Sequence, residues 1–266
     1  QDQSVNKIKT HIPPELPTKI IRFSRTFGHQ SGITAGMKHC TSDLIAILDA
    51  DLQDPPEVIC QMIEKWHQGY EIVYGVREKR KEGLLKVFCY WLFYRIYAFL
   101  SPIDVSTDSG DFCLMSKRVI KEINKLTETI RFHRGLRSWV GFRQIGLPYE
   151  RAKREKGESK YDFRKLYKLA TNGIASMSTR PLQITQILSL SFLFFSIAVT
   201  LILPFFPINN IPLDTKFLIL LHVNLLTGAI ILFSLYILGA YIGRAYIETK
   251  GRPPYIIEEI IDIPSR

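Results

Sequence analysis

The chain has 266 residues, a formal charge of +10 and 46% hydrophobic residues, which allows one α/β domain and an appendage. The positive charge is compatible with nucleic acid, an anionic membrane or phosphorylated substrates. Basic patches interleaved with aromatic residues are absent, so we expect no nucleic-acid partner, and two long apolar stretches near the C-terminus favour a membrane. The four cysteines are scattered without a C-x-x-C pair, which argues against a disulfide framework or a zinc site.

The N-terminal half of the chain predicts alternating strands and helices. Residues 1–17 are polar and contain prolines, which predicts a loop. After this loop we expect strands at 19–24, 44–48 and 70–76, and helices at 28–40 and 57–68. Strands and helices that alternate at this spacing predict an α/β fold with a doubly wound, mostly parallel sheet.

A carboxylate-rich stretch follows the apolar strand that begins at Leu44. Its sequence is Asp49-Ala-Asp51-Leu-Gln53-Asp-Pro-Pro-Glu. Side chains alternate along a strand, so Asp49 and Asp51 project to the same side, and Gln53 follows them if the chain stays extended. Oxygen ligands at the carboxyl end of a buried strand suit Mg²⁺ or Mn²⁺ that substrate phosphates also hold. The alternative is that the aspartates only cap the next helix, since a bare Asp-x-Asp is weak evidence.

The longer string is more specific, and it resembles the motif of the inverting family-two glycosyltransferases with a GT-A fold. In particular it is similar to the polyprenyl-phosphate glycosyltransferases, such as dolichol-phosphate mannose synthase and the bactoprenol glucosyltransferases. The resemblance implies that Asp51 and Gln53 ligate the metal and that Asp49 faces the nucleotide-sugar donor. We assign Arg77, where the third strand ends, to the same donor side. Arg25–Gln30 also resembles a family segment, the one that leads into the first helix.

A second motif is Ser106-Thr-Asp108-Ser-Gly110-Asp111-Phe112. Gly110 supplies a tight backbone turn, and Asp111 stands where the chain enters an apolar segment. Taken alone, Asp108 and Asp111 would be ordinary turn and cap residues. The string resembles the family's Gly-Asp-Phe, which implies that Asp111 lies beside the reacting centre. There it would be the catalytic candidate, either as a base or as a group that orients the acceptor.

Basic residues cluster in two later segments. A basic helix is expected over Arg131–Trp139, followed by a strand at 142–149. The charged loop that begins at 151 would normally be a flexible surface loop. Its pattern Arg154-x-x-Gly-x-Ser159-Lys160-Tyr resembles a family motif, which implies that Arg154, Ser159 and Lys160 bind the acceptor phosphate. We assign Arg131 of the basic helix to the same phosphate. Arg offers a planar fork to phosphate oxygens and Lys a point charge.

The C-terminal part predicts a membrane-bound region. Apolar residues at helical spacing indicate an amphipathic interfacial helix at 162–181. Two uncharged runs, 182–203 and 217–242, are long enough to span a bilayer. A buried core hairpin is the alternative, which two runs of this length disfavour in so small a protein. The loop between them is poor in Lys and Arg and both flanks are rich in them, so the positive-inside rule places both termini in the cytoplasm.

We therefore expect four regions. Residues 1–161 form a cytoplasmic GT-A catalytic domain, 162–181 the interface helix, 182–243 a transmembrane hairpin, and 244–266 a cytoplasmic tail with a strand at 255–261. The expected location is the cytoplasmic membrane, with a multi-pass chain in contact with membrane lipids. A homo-oligomer is compatible with the resemblance.

The resemblance extends from about Arg22 to Glu259 and implies one reaction. A sugar passes from a UDP- or GDP-linked donor to an undecaprenyl or dolichyl phosphate, with inversion at the anomeric carbon, at the cytoplasmic membrane face. A divalent ion and cationic side chains would stabilise the leaving diphosphate. The acceptor phosphate is already an anion, so Asp111 need only orient it or act as a weak base.

One feature departs from the family pattern. Family members begin with a strand that carries a Pro-x-Tyr-Asn-Glu-like string and then an Asp-Asp-Gly-Ser-like string, which hold the nucleotide. Neither string occurs here. We therefore expect either a missing N-terminal strand ahead of Gln1 or an incomplete nucleotide pocket. The alternative function is a non-catalytic membrane subunit that kept the GT-A fold and lost donor binding.

Overall fold

The structure is a computed structural model that describes residues 4–51, 53–78, 109–150, 178–202 and 212–264. The chain divides into two compact units. The first comprises Gln1–Glu82, Val105–Ser159 and Gly251–Arg266, and the second comprises Gly83–Asp104 and Lys160–Lys250.

The first unit contains eleven described elements, and the predicted ones are found to within two residues at each end. In chain order they are α1 (Ser4–His11), β1 (Thr18–Phe23), α2 (His29–His39), β2 (Leu44–Ile47), α3 (Val58–His67), β3 (Ile72–Glu78), β4 (Ser109–Ser116), α4 (Lys117–Lys125), α5 (His133–Trp139), β5 (Gln144–Glu150) and β6 (Ile257–Ile263). The predicted loop at 1–17 is wrong for α1. No Gly or Pro interrupts that helix, and the first proline comes just after it, where a helix is expected to end.

The main sheet has the strand order β2-β4-β3-β5. Strand β4 runs antiparallel to both β2 and β3, whereas β3 and β5 are parallel. The described sheet is therefore mixed, and the predicted doubly wound, mostly parallel sheet is not confirmed. Buried strands of both kinds are apolar runs, so the sequence of β4 does not reveal its direction.

Strand β4 lies at the centre of the core, because its side chains alternate between the two faces of the sheet. Phe112 and Leu114 belong to one buried cluster with Met62 of α3. Cys113 and Met115 belong to the other, together with residues of α2 and α4. By the same alternation Asp111 shares the face of Cys113 and Met115. The sheet therefore presents Asp111 toward α2 and α5.

The C-terminal strand β6 pairs antiparallel with β1, from Thr18 opposite Ile263 to Phe23 opposite Ile257. Just before β6, the ring of Tyr255 stacks on Phe23 with 5.1 Å between the ring centroids. The Ser31 hydroxyl of α2 donates to the Pro254 carbonyl at 2.9 Å. The predicted strand in the tail is thus confirmed, and it attaches the end of the chain to the first turn of α2.

The second unit contains helices α6 (Arg180–Ile202) and α7 (Leu213–Thr249). Within them, Arg180–Val199 and Thr215–Thr249 are long and apolar enough to cross a membrane, and 0% of either segment is buried inside the structure. A core helix of a soluble protein would be covered, so this exposure disfavours the core-hairpin alternative. The interface helix was predicted at 162–181, and residues 162–177 of it lie outside the described part of the chain.

Candidate functional site

Asp111 is the third residue of β4 and is 9% exposed. From α5, Arg134 donates from Nε to Oδ1 at 3.0 Å and from Nη2 to Oδ2 at 3.4 Å. From α2, His29 Nε2 lies 3.1 Å from Oδ2, and Gln30 Nε2 donates to the same oxygen at 3.4 Å. Three side chains from two helices therefore fix this carboxylate at the start of β4.

These contacts determine the charge of Asp111. Burial alone raises the pKa of Asp111, but the hydrogen bond from His29 and the charge of Arg134 outweigh it, so the pKa lies well below its ordinary value. Asp111 is therefore an anion at neutral pH and accepts a proton weakly. Of the two roles that the sequence left open, this favours orientation of the acceptor over strong base catalysis.

His29 also links Asp111 to the carboxylate motif. It is the first residue of α2 and follows Gly28, whose φ of 95° belongs to the region that favours glycine. Its Nε2 atom lies 3.7 Å from Asp49 Oδ1 as well as 3.1 Å from Asp111 Oδ2. Burial raises the pKa of Asp49, the positive charge of His29 opposes that rise, and Asp111 adds to it. One imidazole therefore lies between the two predicted functional carboxylates.

The strand that leads to this motif is shorter than predicted. Strand β2 ends at Ile47, and the backbone turns at residues 50 and 51, so strand alternation does not place Asp49 and Asp51 on one side. Asp51 Oδ1 instead accepts the Gln53 backbone N–H at 3.3 Å. The prolines at positions 55 and 56 and the three aspartates before them favour a turn over an extended strand.

The side chains of the two predicted metal ligands, Asp51 and Gln53, can be compared with what a divalent ion requires. Asp51 and Gln53 offer carboxylate and amide oxygens, which suit Mg²⁺ or Mn²⁺. Among the described residues, no group of three or more His, Cys, Asp or Glu side chains could hold a metal. Magnesium is usually held by one or two carboxylates together with substrate phosphates, so a pair of protein ligands fits that ion.

Asp54, in the same motif, has a structural contact. It is 2% exposed, and the Tyr149 hydroxyl of β5 donates to it at 2.5 Å. Burial and this hydrogen bond raise the pKa of Tyr149 to about 12, and Arg77 also hydrogen-bonds to Tyr149. Arg77 Nη2 lies 3.0 Å from the point where a Cβ of residue 110 would stand. Gly110 therefore leaves room for the Arg77 guanidinium against β4, on the face of the sheet opposite to that of Asp111.

The structure gives Arg131 a local role. Its guanidinium donates to the carbonyls of Glu128 at 3.2 Å and Ile123 at 3.5 Å, and also to that of Leu126. These contacts satisfy carbonyl groups at and after the end of α4. Binding of the acceptor phosphate by Arg131 stays a prediction. The other predicted acceptor ligands, Arg154, Ser159 and Lys160, lie outside the described residues.

Sequence reasoning missed three residues that contact Asp111. His29 and Gln30 lie at the end of the segment that resembles the family, and that resemblance was the available signal. Arg134 lies in the predicted basic helix, three residues after Arg131. Helical spacing alone does not show which basic side chain of this segment faces β4, because that depends on how α5 packs.

His133 contacts Gln30, one of the three side chains that bind Asp111. Its Nε2 atom lies 2.9 Å from Thr34 Oγ1 and 3.1 Å from the Gln30 carbonyl, and its backbone N–H donates to Gln30 Oε1 at 2.9 Å. Burial lowers the pKa of His133 to about 4, with a smaller opposing effect from the Gln30 carbonyl. His133 and Asp111 line a cavity of about 10 Å³. The neutral imidazole thus holds Gln30 in the position from which it reaches Asp111.

The shift at His133 predicts a pH dependence of stability. The pKa of His133 is about 4 in the folded protein and about 6.5 in the unfolded chain. Its contribution to the free energy of unfolding is therefore complete above pH 6.5 and is lost as the pH falls toward 4. Between about pH 7 and about pH 5 we expect a loss of about 2 kcal/mol from this group. Thermal unfolding of the full chain and of the non-titrating His133→Gln variant measures it. Equal acid sensitivity of the two proteins would contradict the assignment.

Comparisons with known proteins agree with the motifs. Residues 1–124 match the family described as Glycosyl transferase family 2. The chain is 42% identical over 270 residues to the uncharacterized glycosyltransferase YkcC of Bacillus subtilis, covering 100% of this chain and 83% of that protein. It is 37% identical over 262 residues to the bactoprenol glucosyl transferase of Shigella phage SfII, covering 96% and 82%. The chain therefore belongs to glycosyl transferase family 2.

Proposed function

We propose that this protein transfers a sugar from a nucleotide-diphosphate donor to a polyprenyl phosphate. The observation that carries the proposal is the position of Asp111, held by Arg134 and His29 and joined through His29 to Asp49 of the donor motif. Similarity to relatives named bactoprenol glucosyl transferases supports a polyprenyl acceptor. Two helices that could cross a membrane fit an acceptor whose tail lies in the bilayer.

In the proposed reaction an oxygen of the acceptor phosphate attacks the anomeric carbon. The new carbon–oxygen bond forms as the bond to the leaving diphosphate breaks, and the bonding pair leaves with the diphosphate. Attack from the opposite face inverts the configuration. The nucleophile is already an anion, so no strong base is needed, and the depressed pKa of Asp111 suits a group that orients it.

The donor side uses a different set of residues. Asp49 and Arg77 are proposed to contact the nucleotide-sugar, and Asp51 and Gln53 to hold Mg²⁺ or Mn²⁺. The ion, when bound, neutralises charge that develops on the leaving diphosphate. Arg77 is suited to a diphosphate oxygen because its planar fork forms charge-assisted hydrogen bonds. Its guanidinium lies beside Gly110, the residue before Asp111, on the face of the sheet that carries Phe112 and Tyr149.

We further propose that the first unit lies at the cytoplasmic membrane face and that α6 and α7 form the membrane hairpin. The segment between the two uncharged runs, 204–216, contains one Lys and no Arg, whereas the segment before α6 is rich in both. This bias supports cytoplasmic termini.

The test is transfer in sealed membrane vesicles that contain the full chain and undecaprenyl phosphate. Labelled UDP- and GDP-linked sugars are supplied from outside to inside-out and to right-side-out vesicles, and labelled lipid is measured. We expect product only in inside-out vesicles and with one preferred donor. Product only in right-side-out vesicles would reverse the orientation. No product and no calorimetric donor binding would instead favour the non-catalytic subunit.

A further inference from the structure

His29 presents only one of its two ring nitrogens to the protein. Nε2 faces the two carboxylates, at 3.1 Å from Asp111 and 3.7 Å from Asp49. Within the described part of the chain, the structure shows no hydrogen bond to the second nitrogen, Nδ1. The side chain is 53% exposed, whereas that of Asp111 is 8% exposed. The imidazole therefore stands at the surface of the site and not in the packed core.

Asp111 has two further side-chain partners besides His29. Arg134 already binds it with two hydrogen bonds, and Gln30 adds a third. His29 contributes to the charge balance of Asp111, yet its side chain is 53% exposed and its Nδ1 faces neither carboxylate. We explain this arrangement by the reverse relation: the two carboxylates orient the imidazole, so that its Nδ1 can contact a further group.

The ionisation of His29 determines what Nδ1 can do. Ionised carboxylates only accept hydrogen bonds, so Nε2 carries a hydrogen, and Nδ1 becomes a second donor when the ring is protonated. The hydrogen bond to Asp111 raises the pKa of His29 above its usual value, and the charges of Asp111 and Asp49 add to that rise. Partial burial and the charge of Arg134 oppose it, as does the amino end of α2. The net effect is a raised pKa, so the imidazolium, with its outward Nδ1–H, persists to higher pH than in an unperturbed histidine.

We propose that His29 is a substrate-binding residue whose Nδ1–H donates to a phosphate oxygen above Asp49 and Asp111. The inference rests on the proposed function, in which both substrates carry phosphate and meet at this cluster. The phosphate is either that of the donor diphosphate or that of the lipid acceptor. Both are anions, and a charge-assisted hydrogen bond from an imidazolium suits either one.

The experiment compares three variants of the full chain in lipid nanodiscs. His29→Gln keeps an amide donor without charge, and His29→Arg keeps a permanent charge. The matched control is His67→Gln, at the exposed end of α3. Transfer is measured across a pH range from mildly acidic to mildly alkaline. The ratio of the wild type to His29→Arg at each pH cancels the ionisation of the substrate phosphates themselves.

A raised pKa means that the active, protonated form is present below that pKa and is lost as pH rises through it. We expect this ratio to fall with rising pH, and His29→Gln to lose roughly tenfold in transfer at the acidic end, the usual size of a lost charge-assisted contact. His67→Gln should behave as the wild type. A wild-type profile in His29→Gln, or a flat ratio, would overturn the inference.

Two further measurements identify the phosphate. If His29→Gln weakens calorimetric binding of the nucleotide-sugar, the contact is to the donor diphosphate; if it raises only the KM for polyprenyl phosphate, the contact is to the acceptor. If the wild type transfers no sugar, the proposed function fails. Binding of inorganic diphosphate to the wild type and to His29→Gln then tests His29 separately, and equal affinities would overturn its role.

Discussion

Asp111→Asn is expected to lower the rate of sugar transfer by at least about 100-fold, the lower end of what a positioned acid–base or orienting group contributes. The amide is nearly the same size but cannot accept hydrogen bonds from Arg134, His29 and Gln30 with both of its atoms. It also removes the carboxylate that raises the pKa of His29. The effect is measured as kcat with saturating donor and polyprenyl phosphate.

This variant also leaves the Arg134 guanidinium without its carboxylate. Removing one partner of a buried ion pair costs on the order of 3–5 kcal/mol, so thermal unfolding and donor binding must be measured beside the rate. The matched control is Asp43→Asn, whose side chain is 91% exposed and pairs with Lys117 at 3.4 Å. Exposed pairs contribute about 0–1 kcal/mol, so the control should keep its rate. A folded Asp111→Asn protein with a near wild-type rate would remove Asp111 from the reacting centre.

Asp51→Ala is expected to abolish metal-dependent transfer while the fold stays intact. Asp51 lies in the turn after β2, and its carboxylate accepts the backbone N–H of Gln53, so its removal leaves the buried clusters unchanged. The proposed loss is one of two protein ligands to Mg²⁺ or Mn²⁺. Transfer is followed through a Mn²⁺ titration, together with thermal unfolding. Wild-type turnover at saturating Mn²⁺ would remove Asp51 from the metal assignment.

Asp54→Ala supplies the contrasting control in the same motif. Asp54 is 2% exposed and accepts the Tyr149 hydroxyl, so its removal leaves a buried donor unpaired. An unpaired buried group lowers the free energy of unfolding by about 1–3 kcal/mol. The melting temperature of Asp54→Ala should therefore fall, and that of Asp51→Ala should not. If both variants lose stability equally, the loss of activity in Asp51→Ala would be a folding effect and not a metal effect.

Local sequence patterns determined the secondary structure of this protein and the family to which it belongs. Apolar runs and Gly or Pro boundaries are short-range signals, which is why the bounds of β2, α2 and α3 were predicted to within one residue. The two apolar helices followed from length and lack of charge alone. The loop predicted over α1 was wrong because this helix is short and mostly polar, and its two apolar residues, Val5 and Ile8, give only a weak helical pattern.

Only the tertiary structure decided how these pieces meet. The insertion of β4 between β2 and β3 in the opposite direction made the sheet mixed and brought Asp111 to His29, 82 residues earlier in the chain. The packing of α5 selected Arg134 as the partner of Asp111. Strand order and helix rotation depend on which distant surfaces bury each other, and an apolar run contributes similar free energy against any complementary surface. Asp49 and Asp111 could therefore be found separately in the sequence, but the contact of His29 with both of them could not.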